Sequence, residues 1–281
     1  MGIIVIYAVT GAHGFIGHYV CRYLTENGST VLAPNSTEWR LGHPLPAACD
    51  QADVIIHLAC SLLKAGSDRD AMADLDYTGT ACLLEQHRQL RQQGKRGRFI
   101  FISSQSAGPG AVNDYGRSKW AIEGLVTGKD EIIVRPGLVY SGTGGSVFGV
   151  LEKLARQPVI PTPNAPPNIQ PIDVKELAEA LARIARHTTP DHKYNLGRTE
   201  PLTFTQTVRA IAARSARRAP VCIPVPEQII RLAGKGVDML LHPTPSILER
   251  IDGLLALRAM ETGPSLEHLG MTLRDFTGMM A

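Results

Sequence analysis

A glycine-rich turn between an apolar run and an amphipathic segment constrains the fold of this chain more than any other feature of its sequence. The apolar run Ile3–Val9 leads into the turn TGAHGFIG at residues 10–17, and helical spacing continues to Glu26. An uninterrupted apolar run is typical of a strand that is covered on both faces. A strand, a glycine turn and a helix in this order predict the first unit of a parallel α/β sheet.

The same alternation continues through the first half of the chain. Further strands are predicted at Val31–Ala33, Asp53–Leu58, Arg98–Ser103 and Glu131–Arg135, and helices at Asp68–Gln93 and Tyr115–Val126. This pattern predicts an α/β fold of the Rossmann type, a doubly wound parallel sheet with helices on both faces. Sheets of this kind bind ligands at the carboxyl ends of their strands.

The three glycines of the turn have the spacing that a dinucleotide-binding loop requires. Gly11 allows the tight turn, Gly14 lets the backbone approach a pyrophosphate, and Gly17 lets the helix pack close to the strand. The helix N-terminus then offers N–H groups and the positive end of its dipole to the phosphates. The loop residues predicted to hold a dinucleotide are Gly11, His13, Gly14, Phe15, Ile16 and Gly17.

The second half of the chain has a different pattern. Residues 157–171 contain six prolines and are predicted to form a surface loop. The other segments are predicted as helices at Asp173–Arg186, Phe204–Arg214, Glu227–Leu241 and Pro245–Leu257 and a strand at Lys193–Leu196, with Asp173 as a helix N-cap. We expect a dinucleotide-binding core at residues 1–140. Residues 141–281 are expected to complete the sheet and to form a smaller substrate-binding lobe.

Composition excludes several other classes of function. The net charge of the 281 residues is only +3, which is too weakly basic for a chain that binds nucleic acid. No apolar run approaches the roughly 18 residues of a membrane helix, and no signal peptide is expected at the N-terminus. The five cysteines lack C-x-x-C spacing and the histidines lack metal-binding spacing. We therefore expect a cytoplasmic protein without a metal site.

Together with three later segments, the T-G-x-x-G-x-x-G loop resembles the extended short-chain dehydrogenases/reductases, the family of NAD-dependent nucleotide-sugar epimerases, dehydratases and reductases. The segments are DVIIHLA at 53–59, DYTGT at 76–80 and RPGLVY at 135–140. In that family the first segment ends near the adenine and ribose, and the third lines the nicotinamide pocket. The resemblance thus adds as cofactor contacts Leu58, Ala59, Pro136, Leu138 and Val139. Asp76 departs from the family pattern, which has asparagine there.

Tyr115 and Lys119 are spaced four residues apart, on one face of a predicted helix. The resemblance implies that this pair acts on a secondary alcohol or ketone together with a preceding serine, Ser104. Tyr115 would exchange a proton with the substrate as hydride moves to or from the cofactor. Lys119, together with a cationic oxidised nicotinamide, is expected to lower the pKa of that phenol, and Lys119 is also expected to bond the nicotinamide ribose. Ser104 would polarise the substrate oxygen, with Ser106 as the alternative serine, and Phe148 is a candidate for the substrate pocket.

The end of the second predicted strand bears on the choice of cofactor. NAD-binding enzymes normally carry a carboxylate there that bonds the ribose 2′-hydroxyl. This chain has an uncharged segment at 33–37 that includes Asn35, and Arg40 follows closely enough to reach a 2′-phosphate. His18 and Arg22 are further options for that contact. The sequence favours NADP slightly and leaves NAD open.

Three functions remain open from the sequence. The resemblance favours a 4-epimerase or 4-keto reductase of a nucleotide-activated sugar. A reductase that uses NADPH on a non-sugar carbonyl is the second candidate, and a non-catalytic NAD(P)-binding scaffold or redox sensor is the third. The presence of Ser104, Tyr115 and Lys119 argues against the scaffold. By resemblance we also expect a homodimer formed through the helices predicted at 68–93 and 115–126, and a small-molecule substrate.

Overall fold

Short parallel strands alternate with helices in this computed structural model, which describes residues 4–61, 69–95, 97–141, 146–164, 168–214, 218–241 and 252–276. The strands are β1 (Ile6–Thr10), β2 (Thr30–Leu32), β3 (Val54–His57), β4 (Arg98–Ile102), β5 (Glu131–Pro136), β6 (Leu138–Tyr140), β7 (Val159–Pro163), β8 (Pro171–Asp173), β9 (Lys193–Leu196) and β10 (Val221–Val225). The helices with described bounds are α1 (Phe15–Glu26), α2 (Arg69–Gln92), α3 (Asp114–Glu123), α4 (Ser146–Ala155), α5 (Val174–Arg186), α6 (Phe204–Arg214), α7 (Glu227–Leu241) and α8 (Gly263–His268), and a 3₁₀ turn lies at Ala47–Gln51.

Six of the strands form one parallel sheet in the order β2-β1-β3-β4-β5-β9. The strand order reverses at β1, because the chain passes from β1 to β2 on one side and then to β3 on the other. The crevice at such a reversal lies above the carboxyl ends of β1 and β3, at Thr10 and His57. This sheet confirms the Rossmann-type fold predicted from the sequence.

Helices cover both faces of the sheet. One layer contains α1 and α5, which pack against each other, and the opposite layer contains α2 and α3. Strand β4 is apolar from Phe99 to Ile102, because Ile100 and Ile102 belong to the core on one face, and Phe99 and Phe101 to the core on the other. Side chains of a strand alternate between faces, so a strand buried on both sides needs apolar residues at every position.

A third core lies in the second half of the chain. Helices α4 and α6 pack against each other there, beside two small parallel sheets, β7–β10 and β6–β8. At its centre the rings of Tyr140 and Phe148 stack with centroids 5.3 Å apart, and Phe276 meets Tyr140 edge-on at 5.0 Å. The same half also contributes β9 to the central sheet.

The prediction of a loop at residues 157–171 was wrong at two places, because β7 and β8 lie within it. Each of these strands pairs with a single strand of the described chain, so a proline can stand where no ladder hydrogen bond is required. The elements β6, β10, α4 and α8 were not predicted either. Among the described helices, none combines the length and the apolar composition needed to cross a bilayer.

Other predictions for the second half are confirmed. The bounds of β9, α6 and α7 agree with the sequence pattern. Asp173 caps α5, since its carboxylate accepts a hydrogen bond from the Lys175 N–H at 2.7 Å. Of the helix predicted at 245–257, residues 245–251 lie outside the described residues, and residues 252–255 are helical.

Candidate active site

The turn between β1 and α1 provides a close approach to the backbone. Gly11 has a φ of +69°, and a Cβ on it would stand 2.7 Å from the Ala59 nitrogen. A Cβ on Gly17 would stand 2.1 Å from the Gly11 oxygen. Position 11 requires glycine because the turn lies directly against the end of β3, where Leu58 also donates its N–H to the Thr10 oxygen. Position 17 requires glycine because α1 lies directly against the backbone of Gly11.

The start of α1 suits an anion. Gly14 caps the helix without a side-chain hydrogen bond, and the first turn carries no acidic residue. His13 is exposed there, and Phe15 and Ile16 are half-buried. Free backbone donors, the helix dipole and a cradle without Cβ atoms are what a pyrophosphate needs. The residues at this turn therefore fit the dinucleotide that the glycine spacing predicts.

His57 ties the floor of the crevice together. Its Nδ1 lies 2.7 Å from Thr10 Oγ1 and its Nε2 lies 3.0 Å from Thr80 Oγ1, so the ring joins β1, β3 and α2. Burial, and to a lesser degree the charge of Lys119, lowers the pKa of His57 to about 3. The ring is therefore neutral at physiological pH. No cluster of three potential metal ligands occurs in the part of the chain that the structure describes.

The serine, tyrosine and lysine predicted as catalytic lie together beside this crevice. Ser104 follows β4, and its hydroxyl acts on Tyr115, in the first turn of α3, by lowering the pKa of the phenol. One turn further along α3, Lys119 is buried and donates from Nζ to the Ile102 oxygen at 3.1 Å. Its Nζ lies 5.8 Å from the centre of the Tyr115 ring. Asn113 begins α3 by accepting the Gly116 N–H at 2.9 Å, which fixes the helix start and hence the position of Tyr115.

The protein groups around Tyr115 raise its pKa, whereas the sequence predicts that Lys119 and an oxidised nicotinamide together lower it. Half of the side chain is exposed (50%), but its hydroxyl lies among protein groups, and this desolvation is the largest cause. The negative charges of ionised Cys60 and of Asp76 raise the pKa further, while the Ser104 hydroxyl lowers it. Burial also lowers the pKa of Lys119 itself.

Cys60 and Asp76 belong to the site although the catalytic spacing did not include them. Asp76 on α2 accepts the Ser61 N–H at 2.6 Å and the Ser61 hydroxyl at 2.9 Å. It thus holds the segment that follows β3, which carries Cys60. Burial is the main cause of the raised pKa of Asp76. The position of Cys60 directly after the buried strand DVIIHLA was the signal available in the sequence, because strand ends line the crevice.

The candidate substrate residues differ in their placement. The Ser106 hydroxyl lies 3.0 Å from that of Ser104, so both serines stand at one turn. Three of the predicted cofactor contacts follow β4 in space. The Pro136 oxygen accepts the Gln105 N–H at 3.0 Å, which holds the end of β5 beside that turn, and Leu138 and Val139 follow in β6. Phe148 is 1% exposed in the aromatic core of the second half, and the structure does not bring it to the Ser104–Tyr115 pair.

The turn after β2 lacks a free carboxylate. Asn35 accepts the Thr37 N–H at 2.9 Å through its side-chain oxygen. Glu38, which is the only acidic residue at positions 33–46, accepts the Asn35 N–H at 2.9 Å, so its carboxylate is bonded within its own turn. Arg40 is exposed beside the turn, with its Nε 3.4 Å from the Ser36 oxygen.

A buried ion pair fixes α3 against the sheet. Glu123, at the end of α3, binds the Arg135 guanidinium of β5 with two contacts, at 2.6 and 2.5 Å. The same carboxylate accepts the Ser103 hydroxyl at 2.5 Å. Because Ser103 precedes Ser104 and Glu123 ends the helix of Tyr115, this ion pair supports both Ser104 and Tyr115.

Known proteins resemble this chain in sequence and in fold. Residues 7–197 match the model of the NAD dependent epimerase/dehydratase family. A ceramide reductase of Caulobacter vibrioides is 30% identical over 268 residues, covering 85% of this chain and 80% of that protein. A UDP-2-acetamido-2,6-beta-L-arabino-hexul-4-ose reductase of Pseudomonas aeruginosa is 30% identical over 115 residues, covering 41% of this chain and 29% of that protein. A human epimerase family protein crystallised with NADPH has the same fold, with a TM-score of 0.73 and 14% identity over 98% of this chain and 99% of that one.

Proposed function

This chain belongs to the NAD-dependent epimerase/dehydratase family, and from that premise we propose that it is an NADPH-dependent reductase of a ketone carried by a ceramide-type lipid. The family and the reductase relatives make it an NAD(P)-dependent epimerase or reductase. Beyond this, we propose that the reaction is a reduction, that the cofactor is NADPH and that the substrate is a lipid ketone.

The observation that carries the proposal is the protonated Tyr115 hydroxyl beside Ser104. Because its pKa is raised, Tyr115 keeps its proton at neutral pH, and a protonated phenol is the form that donates to a carbonyl oxygen. An enzyme that begins by oxidising an alcohol would need the phenolate instead. A protonated phenol suits reduction, and two relatives that are both named as reductases favour reduction over epimerisation, which must begin with oxidation.

Each of the three residues has a distinct part in the reduction. Tyr115 donates its proton to the carbonyl oxygen as that oxygen gains negative charge, and it regains a proton from solvent. Ser104 donates a hydrogen bond to the same oxygen. The buried Lys119 ammonium stabilises the phenolate that is left on Tyr115 after the transfer. When bound, NADPH supplies the hydride that adds to the carbonyl carbon, so that the ketone becomes a secondary alcohol.

The choice of NADPH rests on the turn after β2. Glu38 is the nearest carboxylate and is bonded to the Asn35 N–H, while the exposed Arg40 lies on the same turn. A guanidinium there matches a 2′-phosphate, and an available carboxylate would match a 2′-hydroxyl.

The proposed substrate rests on how much of the chain each relative covers. The similarity to the ceramide reductase extends over 85% of this chain and so includes most of the region after residue 140, which we propose as the substrate lobe. The similarity to the sugar reductase extends over 41%, which is no more than the dinucleotide-binding core requires. A lipid ketone is therefore favoured over a nucleotide sugar.

Reduction of the 4-keto group of a nucleotide sugar is the second candidate. The Pseudomonas aeruginosa relative favours it, because that protein is named as a reductase of a UDP-linked 4-keto sugar. The same three residues would serve that reaction, so the two candidates differ only in what the substrate lobe binds.

We also propose a homodimer that forms through α2 and α3. Large apolar or aromatic side chains are exposed by about two fifths on these two helices, namely Leu75 (39%), Tyr77 (40%) and Trp120 (41%). The mass in solution, measured by light scattering, tests the dimer, and Trp120→Glu should convert it to the monomer.

The proposed reaction is tested by measuring the oxidation of NADPH through the loss of its absorbance. We expect turnover with an N-acylated long-chain amino ketone dispersed in detergent, and none with a UDP- or dTDP-linked 4-keto sugar. Tyr115→Phe should lower kcat by about 10²–10⁴-fold, since it removes the proton donor. The matched control is Tyr23→Phe on α1, outside the site. Turnover of the sugar alone would establish the second candidate, and full activity of Tyr115→Phe would favour the non-catalytic scaffold.

A further inference from the structure

One face of the small sheet β7–β10 is apolar and open. The two strands are parallel and in register, and the side chains on this face are Val159, Pro161, Pro163, Val221, Ile223 and Val225. On the opposite face Ile160 and Thr162 are buried. In contrast, Val159, Val221 and Ile223 are exposed by 49%, 59% and 49%. Contiguous apolar surface of this kind marks a contact site.

Helix α7 extends the apolar surface. It begins two residues after β10 ends and contacts β7. Three of its apolar side chains are more exposed than buried: Ile229 (55%), Leu232 (71%) and Met239 (72%). Their spacing of three and seven residues places them on one side of the helix. We call this side, together with the open face of β7–β10, the apolar surface.

A basic edge borders the apolar surface. Arg156 and Arg218 are exposed and stand three residues before Val159 and Val221. Because those two valines are partners in parallel strands, both arginines lie at the same end of the sheet. Exposed Lys153 and Arg209 lie on α4 and α6, the helices that precede the two strands. The sequence has no acidic residue at 153–172 or at 201–226, so nothing acidic in these segments opposes the positive charge.

The apolar surface is linked to the catalytic helix. Arg231 on α7 pairs with Asp252 at 2.8 Å. The next residue, Gly253, packs on Asn113, since a Cβ there would stand 2.3 Å from the Asn113 amide nitrogen. Asn113 is the N-cap of α3, which carries Tyr115 in its first turn. A single segment thus connects α7 with the mouth of the site.

We propose that the apolar surface and its basic edge dock this protein on an anionic lipid bilayer, next to the entrance of the active site. Apolar side chains enter the interface of a bilayer, and basic side chains at the rim are attracted to anionic headgroups. A long-chain lipid stays in the bilayer, so an enzyme that reduces it must reach the membrane surface. The proposal rests on the proposed function for this last step and on the structure alone for the docking.

Binding to vesicles tests the docking without substrate or cofactor. The full chain is sedimented with vesicles of phosphatidylglycerol and phosphatidylethanolamine, and with vesicles of phosphatidylcholine alone. We expect binding to the anionic vesicles that weakens at high salt and is much weaker with phosphatidylcholine. The pair Ile223→Glu and Leu232→Glu should lower the affinity by about tenfold or more, and so should Arg156→Glu with Arg218→Glu.

Ile4→Glu is the matched control for these variants. Ile4 is 64% exposed but precedes β1, so it lies at the amino ends of the central strands, whereas the site lies at their carboxyl ends. This variant should bind anionic vesicles as the parent does. Thermal unfolding of all variants checks that lost binding does not reflect lost folding, and the charge-reversal pair leaves every apolar contact intact.

The assay of reduction separates this proposal from the proposed function. The pair Ile223→Glu and Leu232→Glu should lower turnover of a vesicle-borne lipid ketone at least about tenfold relative to turnover of a short-chain ketone in solution. Vesicle binding without reduction of any lipid ketone would support docking and overturn the proposed function. Reduction of dispersed lipid ketone without vesicle binding would overturn docking alone. If the parent protein does not bind vesicles, and the Ile223→Glu and Leu232→Glu pair loses a dimer that the parent forms, the surface is a contact between two copies. That result would overturn docking.

Discussion

Burial of His57 between two threonines makes it an acid-sensitive residue of the fold. Its pKa is lowered to about 3 in the folded chain and is about 6.5 when the chain is unfolded. Above about pH 6.5 the ring is neutral in both states, and its hydrogen bonds contribute fully. Between about pH 6.5 and 3, only the unfolded chain binds the proton, so stability falls as the pH falls, by up to about 1.4 kcal/mol per pH unit from this residue.

We expect His57→Gln to unfold at a temperature that depends less on pH between 7.5 and 4.5 than that of the parent protein. The variant loses the acid-linked cost of the buried ring, although it starts less stable by about 1–3 kcal/mol, because the threonine hydroxyls lose well-placed partners. Thermal unfolding followed by circular dichroism measures both effects. His43→Gln, at an exposed position, is the control. An unchanged pH slope in His57→Gln would show that this ring is not the acid-sensitive group.

Asp76 offers a second test at a single residue. The oxygen that accepts both Ser61 bonds has an equivalent in asparagine, so Asp76→Asn keeps the hold on Ser61 and removes a negative charge near Tyr115. Because that charge raises the pKa of Tyr115, its removal should shift the alkaline limb of kcat/KM for reduction to lower pH. Asp76→Ala should instead lower kcat, since it releases Ser61. Identical pH profiles for Asp76→Asn and the parent would show that the Asp76 charge does not reach Tyr115.

The sequence predicted that Ser104, Tyr115 and Lys119 lie together but not the proton affinity of Tyr115 that results. Four-residue spacing on a helix places Tyr115 and Lys119 on one face wherever that helix lies. The pKa of Tyr115 depends instead on how deeply its hydroxyl is buried and on the charges of Cys60, which follows β3, and Asp76, which lies on α2. Such long-range neighbours are fixed by packing, which one sequence does not reveal.

At the scale of elements, the buried pair of Glu123 and Arg135 holds α3 on the sheet. The two side chains are only 4% and 14% exposed. Removal of one partner from such a pair leaves an uncompensated charge in a dry environment, which costs far more than the loss of an exposed pair.

We expect Glu123→Ala to lower the free energy of unfolding by about 3–5 kcal/mol, because Arg135 is left buried without its partner. The same variant should lower kcat more than it raises KM, since Tyr115 and Ser104 lose a common support. Glu179→Ala, which breaks the exposed pair with Arg183 on α5, should cost about 0–1 kcal/mol. Urea denaturation measures both. Equal costs for the two variants would contradict a supporting role for Glu123.

The elements that the sequence predicted well are those of the central sheet. Strands such as β4 contain an uninterrupted apolar run because both faces are covered, and this leaves a clear signal. Strands β7 and β10 each have one neighbour and an open face, and β7 carries two prolines, so their pattern resembles that of a loop. Their pairing joins segments about 60 residues apart, which local sequence does not indicate.

At the scale of the whole molecule, two buried glutamines join the turn after β4 to the C-terminal segment. Gln170 is fully buried and donates its side-chain N–H groups to the oxygens of Arg198 and Met260, both at 2.9 Å. Its side-chain oxygen accepts the Met260 N–H at 2.7 Å. Gln105, between Ser104 and Ser106, donates to Gln170 at 3.2 Å and to the Arg258 oxygen at 2.9 Å. The turn that bears Ser104 is therefore coupled to residues more than 150 positions away.

We expect Gln170→Ala to destabilise the protein by about 2–5 kcal/mol, because several buried backbone groups lose their partners at once. Hydrogen exchange measured by mass spectrometry should become faster at residues 258–262 while exchange in the central sheet stays slow, because the C-terminal segment loses its attachment first. Gln170→Glu should not restore stability, because an ionised carboxylate cannot donate to the Arg198 and Met260 oxygens. Gln89→Ala, which removes an exposed hydrogen bond to Glu85 on α2, should cost about 0.5 kcal/mol or less. Exchange that quickens equally in every element of Gln170→Ala would mean that the C-terminal segment and the core unfold as one unit.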